Sequence, residues 1–318
     1  MSKTESSSVV IVALLANLGI AVAKFLAAAW TQSSAMLSEA IHSLVDTSNQ
    51  ILLMFGISRA KRPADAQHPF GHSTSIYFWS FIVAILLFSL GAGVAMYEGV
   101  DKLRHPHPIH DVYVLYAVLG VSLALEGVSM AKALSALRAA TPGQPLIARL
   151  KASKDPSVFA IVLEDFAALT GLAIAFTGVL FTHLGGYDAA DGIASILIGL
   201  LLGLVAVFMA REIASLIVGE AAAPEVQAGI RAIIDAETGR GKPILAVNEI
   251  KTMHLGPEDV LVAASVDFHD HETAASIEAV ATRIERAIKA RYPEVRNCFI
   301  EVQAAADHEA LALEDAIG

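Results

Sequence analysis

The sequence predicts a polytopic α-helical membrane protein with six transmembrane helices and a C-terminal cytoplasmic α+β domain of the ferredoxin-like αββαβ type. Three observations carry this prediction. First, the 318 residues are 55% hydrophobic, with a mean hydropathy of +0.59, and only 17% are charged, below the roughly 25% usual for soluble domains. Second, long apolar segments fill the chain up to Val218. Third, the composition after Glu220 becomes that of a soluble domain with alternating helix and strand patterns.

Six segments are apolar and long enough to cross a bilayer, which takes about 20 helical residues. They span residues 8–30, 34–58, 74–98, 112–137, 156–183 and 187–218. The first segment is too long for the core of a signal peptide and lacks a clear cleavage pattern, so we expect a retained helix. Gly, Ala and Ser recur in all of them, as in helices that pack closely in lipid.

Positively charged residues set the predicted orientation. Lys and Arg concentrate in the connection after the second segment and in the connection after the fourth, whereas the opposite side carries only Lys102 and Arg104. The positive-inside rule therefore places both termini in the cytoplasm. The residues behind this assignment are Arg59, Lys61, Arg62, Arg138, Arg149, Lys151 and Lys154. A net charge of −10 argues against a nucleic-acid partner.

The C-terminal part of the sequence predicts a small α+β module. Apolar residues at helical spacing predict helices over 224–238 and 272–291, and β-rich runs predict strands over 245–254, 260–269 and 297–303. We therefore divide the chain into a transmembrane domain (1–218), a cytoplasmic domain (219–305) and an acidic tail (306–318) that is a frayed helix or disordered.

The second segment places ionisable side chains inside an apolar helix. His42 and Asp46 are four residues apart, so they share one face of the helix. An aspartate at mid-membrane costs roughly 2.5–3.5 kcal/mol on insertion scales, so it persists only where something uses or pairs it. Imidazole and carboxylate at this spacing favour a divalent metal site. The alternative is a buried hydrogen-bonded pair that only holds helices together.

The fifth segment carries a second intramembrane pair, Glu164 and Asp165. Adjacent residues point about 100° apart on a helix, so only one of them can squarely face a given neighbour. Asp165 is the candidate partner of His42 and Asp46, and three ligands would leave an open position for water. In the fourth segment, Glu126 is either a proton-relay carboxylate or the partner of a polar group on a neighbouring helix.

Other charged residues leave alternatives open. In the loop after the second helix, Asp65, His68 and His72 either cluster around a cation or are solvated. Asp191 is either a charge at a helix N-terminus or, with Asp188, an attractor of cations at the outer mouth. Lys24 snorkels or pairs inside the bundle. The histidines of 103–111 fit a solvated outer loop.

Taken together, these residues resemble the cation diffusion facilitator family over nearly the whole chain. The HxxxD motif (His42 and Asp46), the DxxHPFGH loop (65–72) and Asp165 carry the resemblance. Residues 162–171, 186–199 and 216–220 look most like the branch related to zinc transporter nine. The resemblance implies a homodimeric antiporter that exports Zn²⁺, or a similar divalent ion, in exchange for protons. It also implies a tetrahedral site between helices 2 and 5, a regulatory and dimerising cytoplasmic domain and no organic cofactor.

Two positions depart from the family pattern. Family members commonly carry His or Asp four residues before the helix-5 aspartate, where this chain has Ile161. Water or Glu164 then completes the site, or nothing does, and fewer nitrogen donors weaken the preference for Zn²⁺ over Mn²⁺, Fe²⁺ or Co²⁺. In the last strand, Phe299 and Ile300 stand where metal-binding histidines would be needed, which leaves only His254, His269 and His271 as candidates there.

Other functions find little support in the sequence. Cys298 is the only cysteine, so the chain has no thiolate cluster. Neither a phosphate-binding GxxxxGK[ST] loop nor an HExxH zinc-protease motif occurs, which argues against an ATP-driven pump and an intramembrane metallohydrolase. We expect a non-enzymatic transporter in a bacterial plasma membrane, with divalent metals and protons as its partners. The remaining alternative is a membrane-bound metal sensor that does not transport.

Overall fold

The structure, a computed structural model, describes residues 3–140 and 155–317. The described residues form two units. The first contains 3–64, 75–140 and 155–214, and the second contains 65–74 and 215–317. Arg149, Lys151 and Lys154, which contribute to the predicted orientation, lie outside the described residues. The three-part division of the chain made from the sequence stays a prediction.

The predicted fold class is confirmed. Long helices make up the first unit, and a small module with a three-stranded sheet makes up the second. The helices are α1 (Lys3–Thr31), α2 (Ser34–Ala60), α3 (Ser75–Arg104), α4 (Val112–Ala140), α5 (Pro156–Gly185) and α6 (Ala189–Val218).

Four of the described helices are long and apolar enough to cross a membrane. These spans are Ser75–Arg104, Val112–Lys132, Ala160–Gly185 and Ala189–Val218. In α1 the described apolar part is shorter, Asn17–Thr31. Helix α2 is not among the four, and it is the helix that carries Glu39, His42 and Asp46. Its polar residues lower its hydropathy, and this is the helix on which the candidate site is built.

Helix α3 is not α-helical throughout. Residues Leu87–Ala92 form a π-helical segment between the α-helical parts Ser75–Leu86 and Gly93–Arg104. A π segment inserts an extra residue into the helix and rotates the turns beyond it. Gly99, in the second part, lies against α6: a Cβ added to Gly99 would lie 2.6 Å from the carbonyl oxygen of Gly192. The reciprocal Cβ on Gly192 would lie 3.0 Å from the carbonyl oxygen of Gly99, so two glycines bring the backbones together.

A buried carboxylate closes the N-terminal end of α2. Asp191, in the first turn of α6, is 0% exposed. Its Oδ1 accepts a hydrogen bond from Ser33 Oγ at 2.6 Å, and its Oδ2 accepts one from the backbone N–H of Ser34 at 2.7 Å. Lys102 Nζ of α3 lies 3.7 Å from Asp191 Oδ2. Asp191 is therefore a charge at a helix N-terminus, but the helix that it caps is α2 rather than its own.

The second unit confirms the predicted αββαβ order. It contains α7 (Pro224–Asp235), β1 (Ile244–Gly256), β2 (Asp259–Phe268), α8 (Ala274–Arg291) and β3 (Val295–Val302). β1 pairs antiparallel with β2, and β2 pairs parallel with β3 through the α8 crossover. The core lies between the helices and the sheet, where the buried residues include Ile230, Ile234, Val262, Ile284 and Ile288.

The tail and the loop 65–74 also belong to this unit. The tail forms α9 (Ala305–Ile317), which agrees with the helical alternative. In the loop, Ser73 Oγ donates a hydrogen bond to Asp259 Oδ2 at 2.8 Å, and Thr74 Oγ1 donates one to the carbonyl oxygen of Leu255 at 3.0 Å. The β1–β2 turn thus holds the C-terminal end of the loop.

The close approach of α3 and α6 generates a prediction. Gly99→Ala places a methyl group against the Gly192 backbone, so we expect a loss of about 1–3 kcal/mol of stability. Gly93→Ala is the matched control in the same helix, because its Cβ would meet only the Phe88 oxygen, at 3.8 Å. Thermal unfolding in detergent, followed by tryptophan fluorescence, should show a lower Tm for the first variant and not for the second. Equal Tm values would contradict the contact.

Candidate functional site

The helix-2 pair forms as the spacing predicts. His42 Nε2 lies 3.4 Å from Asp46 Oδ2, and the two side chains are 1% and 18% exposed. Neither ring nitrogen of His42 makes a hydrogen bond, and Asp46 Oδ1 makes none either. A buried polar atom without a partner costs about 1–3 kcal/mol. These atoms are therefore available to a ligand that the protein chain does not itself provide.

A small cavity of ≈ 80 Å³ lies beside this pair, between α1, α2, α4 and α5. Four carboxylates from three helices line it: Asp46 of α2, Glu126 of α4, and Glu164 and Asp165 of α5. The sequence paired Asp165 with Asp46, and both face this cavity. Ile161 lines it as well and supplies no ligand atom.

Neighbouring helices hold the two carboxylates of α5 separately. Asn49 Nδ2 donates a hydrogen bond to Glu164 Oε1 at 2.8 Å. Ser129 Oγ of α4 donates one to Asp165 Oδ2 at 3.2 Å. Each of these adjacent side chains thus faces a different neighbouring helix, Glu164 toward α2 and Asp165 toward α4, and both line the cavity.

The proposed transport ligands are not already gathered around one point. Among the described residues, the group with three ligand atoms within 4.8 Å of one another is Asp65, His68 and His72. His42, Asp46 and Asp165 do not meet that distance. An ion held by all three therefore needs side chains of α2 and α5 to approach each other further.

A fixed ion pair lies next to the site. Lys24 Nζ is 3.3 Å from Glu39 Oε2 and donates a hydrogen bond to Ser43 Oγ at 2.7 Å, with both charged side chains 0% exposed. Of the two alternatives for Lys24, pairing inside the bundle is therefore the one observed. Gly171 of α5 makes room for this pair, because a Cβ there would collide with Glu39 Oε1.

The four cavity carboxylates have no comparable cation. In the described part of the chain, no Lys or Arg forms a salt bridge with Asp46, Glu126, Glu164 or Asp165. From the sequence alone, two roles were open for Glu126, and neither placed it among the candidate ligands of the site. The signal that could have found it is Ser129, three residues further along α4, which turns the same helix face toward Asp165.

The loop cluster is preassembled and exposed. Asp65 Oδ2 lies 3.0 Å from His72 Nε2, and Asp65 Oδ1 lies 3.3 Å from His68 Nδ1. The hydrogen bond with His72, followed by the one from the His68 backbone N–H, holds the pKa of Asp65 well below its usual range. Two imidazoles and a carboxylate at these distances can hold a divalent ion, with positions left for water.

Other histidines do not gather into a site among the described residues. In the connection between α3 and α4, His105 Nδ1 pairs with Asp101 at 3.1 Å, while His107 Nδ1 lies 2.7 Å from Lys102 Nζ. Burial, followed by the charge of Lys102, lowers the pKa of His107. In the second unit, the rings of His269 and His271 stack 5.3 Å apart, and His254 Nδ1 lies 3.2 Å from the Gly256 carbonyl oxygen.

Comparison with known proteins decides the family. Residues 10–218 match the model of the cation efflux transmembrane domain. The chain belongs to the cation diffusion facilitator family. Members of this family are transporters, not enzymes, and the resemblance seen in the sequence is confirmed.

Several named proteins are similar to this family member. The mitochondrial proton-coupled zinc antiporter SLC30A9 of Homo sapiens is 32% identical over 88% of this chain and 55% of its own length. Metal tolerance protein C4 of Arabidopsis thaliana is 31% identical over 76% of this chain and 52% of its own length. The metal cation efflux system protein CzcD of Cupriavidus metallidurans is 28% identical over 56% of this chain and 51% of its own length.

The length of these relatives and the location named for one of them both bear on this chain. The chain spans a little over half the length of the relatives it matches. The first of them is named as a mitochondrial protein, so the expectation of a bacterial plasma membrane finds no support there. Family membership and the apolar helices together establish an integral membrane protein of the cation efflux type.

The loop geometry generates a prediction about metal stoichiometry. Asp65→Asn removes the carboxylate that joins both histidines, so we expect the metal bound per chain in equilibrium dialysis with Zn²⁺ to fall by one. Asp101→Asn is the matched control, since Asp101 also pairs with a histidine, but in an exposed pair without a third ligand. Unchanged stoichiometry in the Asp65 variant would mean that the loop residues are solvated and bind no metal ion.

Proposed function

We propose that this protein is a divalent metal efflux transporter, specifically a Zn²⁺/H⁺ antiporter, whose ion binds between α2 and α5. The observation that carries the proposal is the cavity among the apolar helices, lined by Asp46 and Asp165 and adjoined by the unpartnered imidazole of His42. Carboxylates at membrane depth are rare and mark ion or proton pathways. The printed name of the SLC30A9 relative, a proton-coupled zinc antiporter, supports the same cargo and coupling.

The chemistry of the exchange depends on the protonation of the ligands. A divalent cation needs ionised carboxylates and a neutral imidazole, so its binding expels protons from these groups. When the ion leaves, protons can replace it and keep the site close to neutral in its apolar surroundings. One site that takes up either a metal ion or protons gives an exchange of the two as it faces each side of the membrane in turn.

The metal could instead be Mn²⁺, Fe²⁺ or Co²⁺, carried by the same mechanism. Ile161 favours this second candidate, because it lines the cavity at the position where a further His or Asp would add a ligand. One imidazole among several carboxylates is a ligand set that these ions accept more readily than a nitrogen-rich one. Flux measured with each metal separates the candidates.

We also propose that the protein acts as a homodimer with both termini in the cytoplasm. Arg59, Lys61 and Arg62, at the end of α2 and just beyond it, support this orientation by the positive-inside rule. In the same arrangement, the loop cluster and the αββαβ module lie on the cytoplasmic side.

The deciding experiment measures metal flux in proteoliposomes. We expect Asp46→Ala and Asp165→Ala each to reduce Zn²⁺ uptake to background, because each removes a carboxylate whose charge the cargo compensates. Asp101→Ala, an exposed aspartate outside the cavity, should transport normally. Normal flux in either cavity variant would refute the site. Bound metal with no flux in the wild-type protein would favour the non-transporting sensor.

Proton competition gives a second prediction. Because metal needs ionised carboxylates and a neutral imidazole, we expect the apparent metal affinity to fall as the pH drops. His42→Asp should keep metal binding, change the number of protons released and shift the preference toward Mn²⁺. Calorimetry in buffers of different ionisation enthalpy counts these protons. Equal proton release from the wild type and His42→Asp at every pH would remove His42 from the exchange.

A further inference from the structure

We propose that Glu126 of α4 is a ligand of the transported ion, so that the site is built from three helices rather than two. This inference rests on the proposed function and concerns the same cavity. It assigns to α4 the ligand that α5 lacks at Ile161. The transported class is then a divalent cation that accepts several carboxylate oxygens in its shell.

The position of Glu126 supports this role. It lines the cavity together with Asp46 and Asp165, although it stands on a different helix. Ser129, three residues later, donates its hydrogen bond to Asp165 Oδ2 at 3.2 Å. Residues three apart share one helix face, so the face of α4 that carries Glu126 is turned toward the candidate ligand on α5.

The partners of the other carboxylates single out Glu126. Glu164 accepts a hydrogen bond from Asn49, and Asp165 accepts one from Ser129. Among the described residues, we find no hydrogen bond and no salt bridge from another side chain to Glu126. A carboxylate that only tied helices together would show such a bond. Glu126 instead turns toward a polar cavity, where its oxygens can take a ligand.

A buried neighbour gives independent evidence that a ligand belongs here. His42 is 0% exposed, and both of its ring nitrogens lack a hydrogen-bond partner. Its Nε2 lies 3.4 Å from the Asp46 carboxylate that lines the cavity. An imidazole buried without a partner is costly, and a divalent cation beside Asp46 would satisfy it together with the carboxylates.

The negative charge of the cavity carboxylates also favours a bound cation. Lys24 pairs with Glu39, at 3.3 Å, and forms no salt bridge with a cavity carboxylate among the described residues. Asp46, Glu126 and Asp165 together carry more negative charge than Lys or Arg of the described helices neutralises. A divalent cation bound by two or three of them restores the balance, and protons restore it when the cation leaves.

Metal binding to purified full-length protein in lipid nanodiscs tests this proposal. All variants carry Asp65→Asn and His68→Ala, so that the loop cluster does not contribute. In this background we expect Glu126→Gln to weaken Zn²⁺ and Mn²⁺ binding by about tenfold or more, with the larger effect on Mn²⁺. Glu98→Gln is the matched control, since Glu98 is a carboxylate of α3 that lines a different cavity, and it should bind both metals like the background protein.

Cobalt provides a readout that a purely structural role of Glu126 would not change. The visible absorption of bound Co²⁺ depends on the number and type of its ligands, so Glu126→Gln should alter the spectrum, and Glu98→Gln should not. If Glu126→Gln does not fold, Glu126→Asp replaces it. Reduced affinity and a changed spectrum in that variant support the assignment, and background values overturn it.

Two results separate failure of this inference from failure of the proposed function. If Glu126→Gln binds both metals normally while Asp46→Ala and Asp165→Ala do not, Glu126 is not a ligand and the two-helix site stands. If all three variants bind normally, the cavity is not the metal site and the proposal of transport through it fails as well.

Discussion

Buried carboxylates around α2 must be compensated, and the protein chain does so fully for two of them but not for the third, Asp46. Asp191 is compensated by backbone N–H and hydroxyl groups at the N-terminal end of α2, with Lys102 beside it. Glu39 is compensated by the ion pair with Lys24. Asp46 has only the imidazole of His42 at 3.4 Å, and one of its oxygens has no partner. Asp191 and Glu39 have permanent partners, so their role is structural. Asp46 has no such partner, so it is suited to bind an ion and release it again.

The sequence predicted the features that depend on local periodicity. The six long helices, the αββαβ order and the common face of His42 and Asp46 all result from spacings within one element, and the structure contains each of them. The family could also be recognised from motifs that lie close together in the chain. These features could be found because burial and helical geometry act on neighbouring residues in the same way in any fold.

The features that escaped prediction depend on which helix faces meet. The spacing of Asp191 fits a charge at its own helix N-terminus, yet it caps a helix more than 150 residues earlier in the sequence. The sequence around Glu126 is the same whether this side chain faces Asp165 or a different helix. The attachment of the loop through Ser73 to Asp259 joins residues 186 positions apart. Helix-to-helix rotation leaves no local pattern, so only the three-dimensional structure can supply it.

The π-helical segment in α3 has a consequence for how this chain is compared with others. Leu87–Ala92 carries the extra residue, so Gly99 and Lys102 beyond it are rotated by about 100° relative to an unbroken α-helix. That rotation is what turns Gly99 to the Gly192 backbone and Lys102 to Asp191. A relative whose third helix is α-helical throughout would align correctly with this chain only with a one-residue gap in this segment. An ungapped alignment would match the wrong residues over the whole C-terminal half of α3.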